Sequence, residues 1–256
     1  MKKNLKISII TVALNSSKTI KNTLESIKSQ NYKNIEYIVI DGESKDSTVD
    51  IIKSYKNQIA YFISEKDNGI YDAMNKGIKA ATGDIIGILN SDDFYASNTI
   101  ISEIADTFNE QQVDSIYGNL VYLKSTNQNK VVRFWSTGNF SIIKLKRGWT
   151  LPHPTLFVRK AIYDKYGLYN TRLKSAADYE MILRLLYKNN ISFHYIDKIL
   201  VKMRSGGQSN ANLLNRIIAN REDVMAWRIN NLSPPLFIRF TKPLMKIRQF
   251  FKQPKH

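Results

Sequence analysis

Along residues 6–90 the hydrophobic positions alternate between two patterns. Short β-branched runs, KISIITVAL (6–14), IEYIVID (35–41), IAYFISE (59–65) and DIIGILN (84–90), have the length and composition of buried strands. Between them lie segments whose apolar residues fall at helical spacing. SSKTIKNTLESIKSQ (16–30) carries Ile20, Leu24 and Ile27 behind a Ser cap, DSTVDIIKSYK (46–56) is shorter, and GIYDAMNKGIKAAT (69–82) is closed by Gly83. Strands and helices alternating at these spacings predict right-handed βαβ crossovers and an α/β fold, a mostly parallel sheet flanked by helices.

In such sheets ligands sit outside the carboxyl ends of the strands. That rule singles out Asn15 after the first strand, Asp41 ending the second, Glu65 and Asp67 after the third, and Asn90 to Asp93 after the fourth. Acidic and amide side chains therefore gather on one rim.

The second half is less regular. VDSIYGNLVYL (113–123) and KVVRFWSTG (130–138) predict a hairpin across the polar KSTNQN turn, and LPHPTLFVRKAIYDKYGLYN (151–170) reads as a strand, a helix and an irregular segment. AADYEMILRLLYKNN (176–190) has the periodicity of an amphipathic helix, ISFHYIDKILVKMR (191–204) that of a strand, and a helix is expected over about 211–230 after the loop SGGQSN (205–210). The length accommodates one sizeable core, so we expect one main domain over 1–210, in two halves (1–95 and 96–210), and a helical extension over 211–256.

Composition narrows the chemistry. With no cysteine there is no disulfide framework, thiolate metal site or Cys nucleophile, and three histidines leave little for a zinc site. A formal net charge of +16 calls for an anionic partner: nucleic acid, an acidic membrane surface or a phosphorylated substrate. The start, MKKNLKISIITVALNSS, mimics a signal peptide but runs into Asn15-Ser16-Ser17 without a small-residue cleavage site, so a first strand and a cytoplasmic protein are expected. No stretch reaches the roughly 20 apolar residues of a spanning helix. After Asp223 there is no acidic residue; Lys and Arg alternate with Leu236, Ile238, Leu244, Phe250 and other apolar residues beyond Pro234-Pro235. This tail is either a basic amphipathic helix lying on anionic lipid at the inner membrane face or a surface helix packed on its own domain.

Two adjacent carboxylates at a strand end, Asp92 and Asp93, repel unless a cation or a hydrogen-bond network relieves them. In an ordinary loop such a pair is a solvated turn; after an apolar strand in a βαβ series it suits a hard cation with a substrate diphosphate.

The stretches ISIITVALNSSKTIKNTLESIKSQNYKNIEYIVIDGESKDST and SEKDNGIYDAMNKGIKAATGDIIGILNSDD together resemble the nucleotide-sugar-binding half of inverting glycosyltransferases of family 2, of the GT-A fold and the bacterial polysaccharide-biosynthesis type. The likeness covers about residues 6–210. It implies that Thr11, Ala13 and Asn15 lie against the nucleoside and that Asp41 contacts the uracil base; Asp67 and Asn68, from their place in SEKDNGIYDAMNKGI, are expected at the base or ribose. Ala13 stands where the family often has an aromatic residue. The resemblance further implies that NSDD is a variant of the family's DxD motif: Asp92 near the ribose and donor sugar, Asp93 on a Mn2+ or Mg2+ ion that bridges the diphosphate of a UDP-sugar. Asn75, on the helix facing the rim, is expected to hold the Asp loop, whereas Tyr71, Met74 and Ile78 read as core.

An inverting transfer needs a general base for the acceptor hydroxyl. By resemblance this is Asp178 in SAADYEMILRL, with Ala177 where the family usually has Glu; on its own, Asp178 also reads as a helix N-terminal carboxylate favoured by the macrodipole. His153 in LPHPTLFVR matches a His near the acceptor site, although a lone His is commonly structural. SGGQSN resembles a loop that closes over the donor, with Ser209 bonding the diphosphate and Arg204 adding charge; a plain surface loop is the alternative. The acceptor implied is a saccharide, lipid-linked in view of the basic tail.

Two rival functions fit the sequence less well. A nucleic-acid binder would use the 38 Lys and Arg with the aromatics, but the basic residues form no recognisable motif and the rim is acidic, so nucleic acid is not expected as a partner. A nucleotidyltransferase acting on sugar phosphates would place a Gly-rich loop after the first strand, and TVALNSSKT contains no glycine.

Overall fold

The computed structural model describes residues 2–206, 213–236 and 238–251. Its first half follows the hydrophobic pattern closely. The strands are β1 (Ile7–Ala13), β2 (Ile35–Asp41), β3 (Tyr61–Ser64) and β4 (Ile85–Ile88), and the helices between them are α1 (Ile20–Lys28), α2 (Thr48–Lys53) and α3 (Ile70–Ala80). These strands pair in parallel in the order β3-β2-β1-β4.

Because β1 and β2 are covered on both sides, they are apolar on both faces rather than alternating. Ile10, Val12, Ile38 and Ile40 pack against Met74 and Ile78 of α3; Ile7, Ile9 and Val39 pack with Ile20 and Leu24 of α1. The approach of α3 is close: a Cβ on Gly77 would stand 2.4 Å from Ile10 Cγ2. One polar cluster ties the edge of this layer. Glu36 of β2 is buried, accepting hydrogen bonds from Lys6 Nζ, Ser8 Oγ, and both the N–H and Oγ1 of Thr82.

The parallel half ends at β4, where β8 (Phe157–Arg159) joins antiparallel. The sheet continues through β6 (Ser115–Lys124), β9 (Phe193–Arg204) and β5 (Phe94–Tyr95), while β7 (Asn127–Trp135) forms the expected hairpin with β6. The described residues thus form one nine-stranded mixed sheet. The two-residue β5 pins the chain leaving Asp92-Asp93 against Val201 and Lys202 of β9.

Helices α4 (Ile100–Gln111) and α5 (Ile142–Lys146) are additional to the elements read from the sequence; α4 buries Ile100, Ile104 and Phe108 at helical spacing. α6 (Lys160–Tyr166) follows β8. The helix expected over 176–190 is divided: α7 (Ala177–Ile182) passes into a π-helical stretch, Leu183–Lys188. There Arg184 reaches back to both carboxylate oxygens of Glu180 and to the carbonyl of Leu168.

At the C-terminus come α8 (Leu213–Ile229) and α9 (Ile238–Phe251). Trp227 is fully buried and donates from Nε1 to Tyr179 Oη at 3.0 Å. The basic tail packs on the domain along one stripe. Ile238 joins the core, Lys242 forms a buried ion pair with Asp223 over the Tyr179 ring, and Gln249 accepts from Arg133 of β7. None of the described helices is long and apolar enough to cross a membrane.

Candidate functional site

The carboxyl ends of β1, β2 and β4 form the rim that the alternating pattern predicts. Asp41, the last residue of β2, is fully buried, and its oxygens accept from the N–H and Oγ of Ser44 and the Oγ of Ser64. It therefore shapes the loop after β2. Asn15, at φ 49°, takes the left-handed conformation that amide side chains tolerate, and its Oδ1 accepts from Lys45 N at 2.8 Å. Ala13 is buried at the end of β1.

Thr11 departs from expectation. It lies within β1 rather than in the loop beyond, fully buried, with its hydroxyl receiving Tyr37 Oη. The strand continues two residues further than a rim position for Thr11 requires. Asp67 caps the turn into α3 by accepting from Gly69 N, and Asn68 N donates to Asp72.

After β4 the chain folds into a tight turn, Asp93 N donating to Asn90 O. Asp93 is 0% exposed; its Oδ2 accepts from Asn90 Nδ2 at 3.1 Å, and its backbone carbonyl receives Thr23 Oγ1 at 2.7 Å. Two buried oxygens in this turn have no hydrogen-bond partner, Asn90 Oδ1 and Asp93 Oδ1. Asp92 is half-buried and more accessible than its neighbour. Ser91 ties the turn to the β1 loop through an Oγ–Oγ bond of 2.7 Å to Ser16.

Arg204, the last residue of β9, donates to the carbonyl of Asp92 at 2.7 Å and lies over the Phe94 ring. It thus supports the aspartate turn directly. Ser209, expected at the diphosphate, lies outside the described residues.

Electrostatically the turn holds more negative charge than it can pair. Burial, reinforced by the charge of Asp92, pushes the Asp93 carboxyl well above the usual carboxylate range; burial also raises Asp92, against the pull of Arg204 and His153. Among the described residues no cluster of three or more His, Asp or Glu side chains could hold a metal. The free buried oxygens of Asn90 and Asp93 beside Asp92 are nevertheless the hard donors that magnesium or manganese takes from a protein when substrate phosphates supply the remaining ligands. The donor set fits such an ion.

A second group of side chains comes from α3, α7 and the turn before β8. Asp178 is the second residue of α7, and its Oδ1 accepts from Tyr71 Oη at 3.2 Å and from Tyr179 N at 2.8 Å. His153 Nδ1 stands 3.6 Å from Asp178 Oδ2, too long for a hydrogen bond but close enough for charge to matter. Its Nε2 is buried without a partner. Burial holds the imidazole below its ordinary pKa, in spite of the carboxylates of Asp178 and Asp92, which both act on it. His153 is thus held towards its neutral form within reach of the charge of both acidic groups.

Asn75 corrects the expectation for α3. It does not reach the aspartate turn; its amide brackets Tyr169, donating to the carbonyl and accepting from the N–H, both at 2.9 Å. Tyr71, one helical turn earlier, stacks on the Tyr169 ring and donates to Asp178. Burial raises the Tyr71 hydroxyl far above its normal pKa, so it stays a donor. Tyr71 read as core from its spacing, and it is buried; its i, i+4 relation to Asn75 was the available sign that both serve one contact. For Thr23, Ser91 and Ser16 the sequence carried no comparable sign.

Comparisons with known proteins bear on the family and the fold. Residues 8–166 match the family model of glycosyl transferase family 2. An uncharacterized glycosyltransferase of Mycobacterium tuberculosis is 32% identical over 183 residues, 70% of this chain and 68% of that protein. A PGL/p-HBAD biosynthesis glycosyltransferase of Mycobacterium bovis is 28% identical over 208 residues, 79% of this chain and 78% of that one. Among solved structures, a fragment of S. aureus TarS in complex with UDP-GlcNAc superposes with a TM-score of 0.70 at 21% identity, over 88% of this chain and 65% of the fragment. The chain spans only 40% of a longer TarS chain. The mannosyltransferase PcManGT of Pyrobaculum calidifontis, in complex with GDP-Man and Mn2+, gives a TM-score of 0.66 at 14% identity, over 93% of this chain and 69% of that one. At these identities what is shared with the solved structures is the GT-A fold.

Proposed function

The chain belongs to glycosyl transferase family 2, and we propose that it transfers one sugar from a UDP-sugar to a saccharide hydroxyl with inversion at the anomeric carbon. The observation that carries this reading is that two half-buried carboxylates from separate elements, Asp92 after β4 and Asp178 on α7, both act on His153, whose Nδ1 stands 3.6 Å from Asp178 Oδ2. One is suited to the donor diphosphate and the other to the acceptor.

In this reading the nucleoside lies over the ends of β1 and β2, against Ala13, Asn15, Asp67 and Asn68, with Asp41 and Thr11 beneath them. The halves 1–95 and 96–210 serve donor and acceptor respectively. Asp93, with Asn90 and Asp92, would hold the divalent ion. Bound Mn2+ or Mg2+ neutralises charge that builds on the departing diphosphate. UDP as leaving group is supported by the UDP-GlcNAc complex of the TarS fragment, although PcManGT is in complex with GDP-Man.

The acceptor hydroxyl gives its proton to Asp178 while its oxygen attacks the anomeric carbon from the face opposite the phosphate. The bond from the anomeric carbon to the phosphate oxygen breaks, and its electron pair leaves on the diphosphate. Tyr71 and the Tyr179 N–H fix one oxygen of Asp178, leaving Oδ2 for the proton beside His153.

The biosynthetic role of the Mycobacterium bovis relative and the basic tail support a lipid-linked acceptor in bacterial cell-surface polysaccharide assembly, handled by a peripheral protein at the inner membrane face. The test is Asp178→Asn, assayed by release of UDP and formation of the glycoside. Donor affinity is expected to be retained while transfer falls by roughly 100-fold or more. Transfer near the wild-type rate would place the base elsewhere.

A further inference from the structure

Asp and Glu are absent from two long stretches of this chain, the residues between Asp114 and Asp164 and all those after Asp223, while Lys and Arg continue through both. The fold brings the two stretches together. Arg133 of β7 donates to Gln249 of α9, and a Cβ on Gly148, just after α5, would stand 2.5 Å from the Cα of Lys242. They therefore form one continuous basic region.

On this region α5 is unusual. Ile142 is 44% and Ile143 65% exposed, Lys144, Lys146 and Arg147 are exposed beside them, and only Leu145 turns into the core. Leu244, two residues beyond the Lys242 that meets Gly148, is 60% exposed, although α9 keeps Ile238 and Lys242 against the domain. Two adjacent isoleucines in water, flanked by three cations and with no acidic residue nearby in sequence, match a surface that is apolar below and anionic above. A polyanion without an apolar layer, such as nucleic acid, would leave the isoleucines uncovered.

We propose that α5 and the exposed side of α9 form a docking surface for an anionic lipid bilayer. Ile142, Ile143 and Leu244 enter the boundary between headgroups and acyl chains, while Lys144, Lys146 and Arg147 meet lipid phosphates. From α5 the chain runs through the buried Trp149 and Leu151 to His153, which connects this surface to the acceptor side of the site along the chain. This deepens the lipid-linked acceptor reading and rests on it for its purpose, but vesicle binding is measured without any sugar transfer.

The experiment is co-sedimentation of the full chain with vesicles of phosphatidylglycerol and phosphatidylcholine, against phosphatidylcholine alone. Binding is expected only with phosphatidylglycerol, weakening as salt rises. Ile142→Ser/Ile143→Ser should lower partitioning roughly tenfold or more, and Arg147→Glu, which leaves the apolar pair in place, roughly fivefold. Melting curves and the UDP-induced shift show that both variants are folded. Absence of vesicle binding, equal binding to both vesicle types, or binding unchanged in both variants overturns the proposal. Retention on duplex DNA without vesicle binding overturns it too. If transfer to a soluble acceptor is present while vesicle binding fails, the docking surface alone falls; the reverse outcome removes the transferase reading alone.

Discussion

Asp178 occupies the second position of a short helix, where the macrodipole already favours a carboxylate, yet Tyr71 comes from a distant helix to bond it. A helix-capping carboxylate needs no such partner. In the proposed reaction the hydroxyl fixes which oxygen takes the proton, so Tyr71→Phe is expected to lower kcat by roughly tenfold with little change in the donor KM, measured by UDP release. An equal loss in both would mean that Tyr71 acts through donor binding. The residue scale is also where the sequence was least informative. Asp92 and Asp178 both act on His153, and these were found because the strand-end rule and the family pattern depend on short local signals. Thr11 and Asn75 were assigned to the ligand side, and the structure gives them to Tyr37 and to the Tyr169 backbone. Such partners are distant in sequence, and a helix face does not announce which loop will lie across it.

At the scale of elements, the parallel layer β3-β2-β1-β4 was legible because each strand is a continuous apolar run and each helix a periodic one. The rest of the sheet, where antiparallel pairs surround the parallel β6–β9 pair, was harder. β5 has two residues, too few for any pattern, and β8 three, and α7 passes into a π-helical stretch without a break in hydrophobic spacing. One polar device holds the legible layer together. Burial alone would raise the Glu36 carboxyl, but hydrogen bonds from Lys6, Ser8 and Thr82 outweigh it and hold the pKa at about 2. A carboxyl depressed in the folded state stabilises above its unfolded pKa and loses that stabilisation as pH falls towards its folded pKa. Between about pH 4.5 and 2 the wild type should therefore lose stability through this group. Glu36→Gln should remove on the order of 2–3 kcal/mol at neutral pH and flatten the acid slope, read from urea unfolding at several pH values. An unchanged slope would mean that the cluster contributes no pH-dependent stability.

For the whole molecule, two charges of opposite sign are kept apart. The rim concentrates aspartates that repel one another, while the net charge of +16 is carried in part by acid-free segments that pack together around α5, β7 and α9. This division fits the proposed reading, in which a diphosphate is taken through a cation at one place and an anionic surface at another. In the proposed reading a divalent ion satisfies the free buried oxygens of Asn90 and Asp93. The most direct measurement is the melting temperature with UDP, with Mn2+, and with both. The expected result is a rise with the pair that exceeds the sum of the separate shifts and disappears in Asp93→Ala. No rise with UDP and Mn2+ together, or a rise that Asp93→Ala leaves intact, would contradict it.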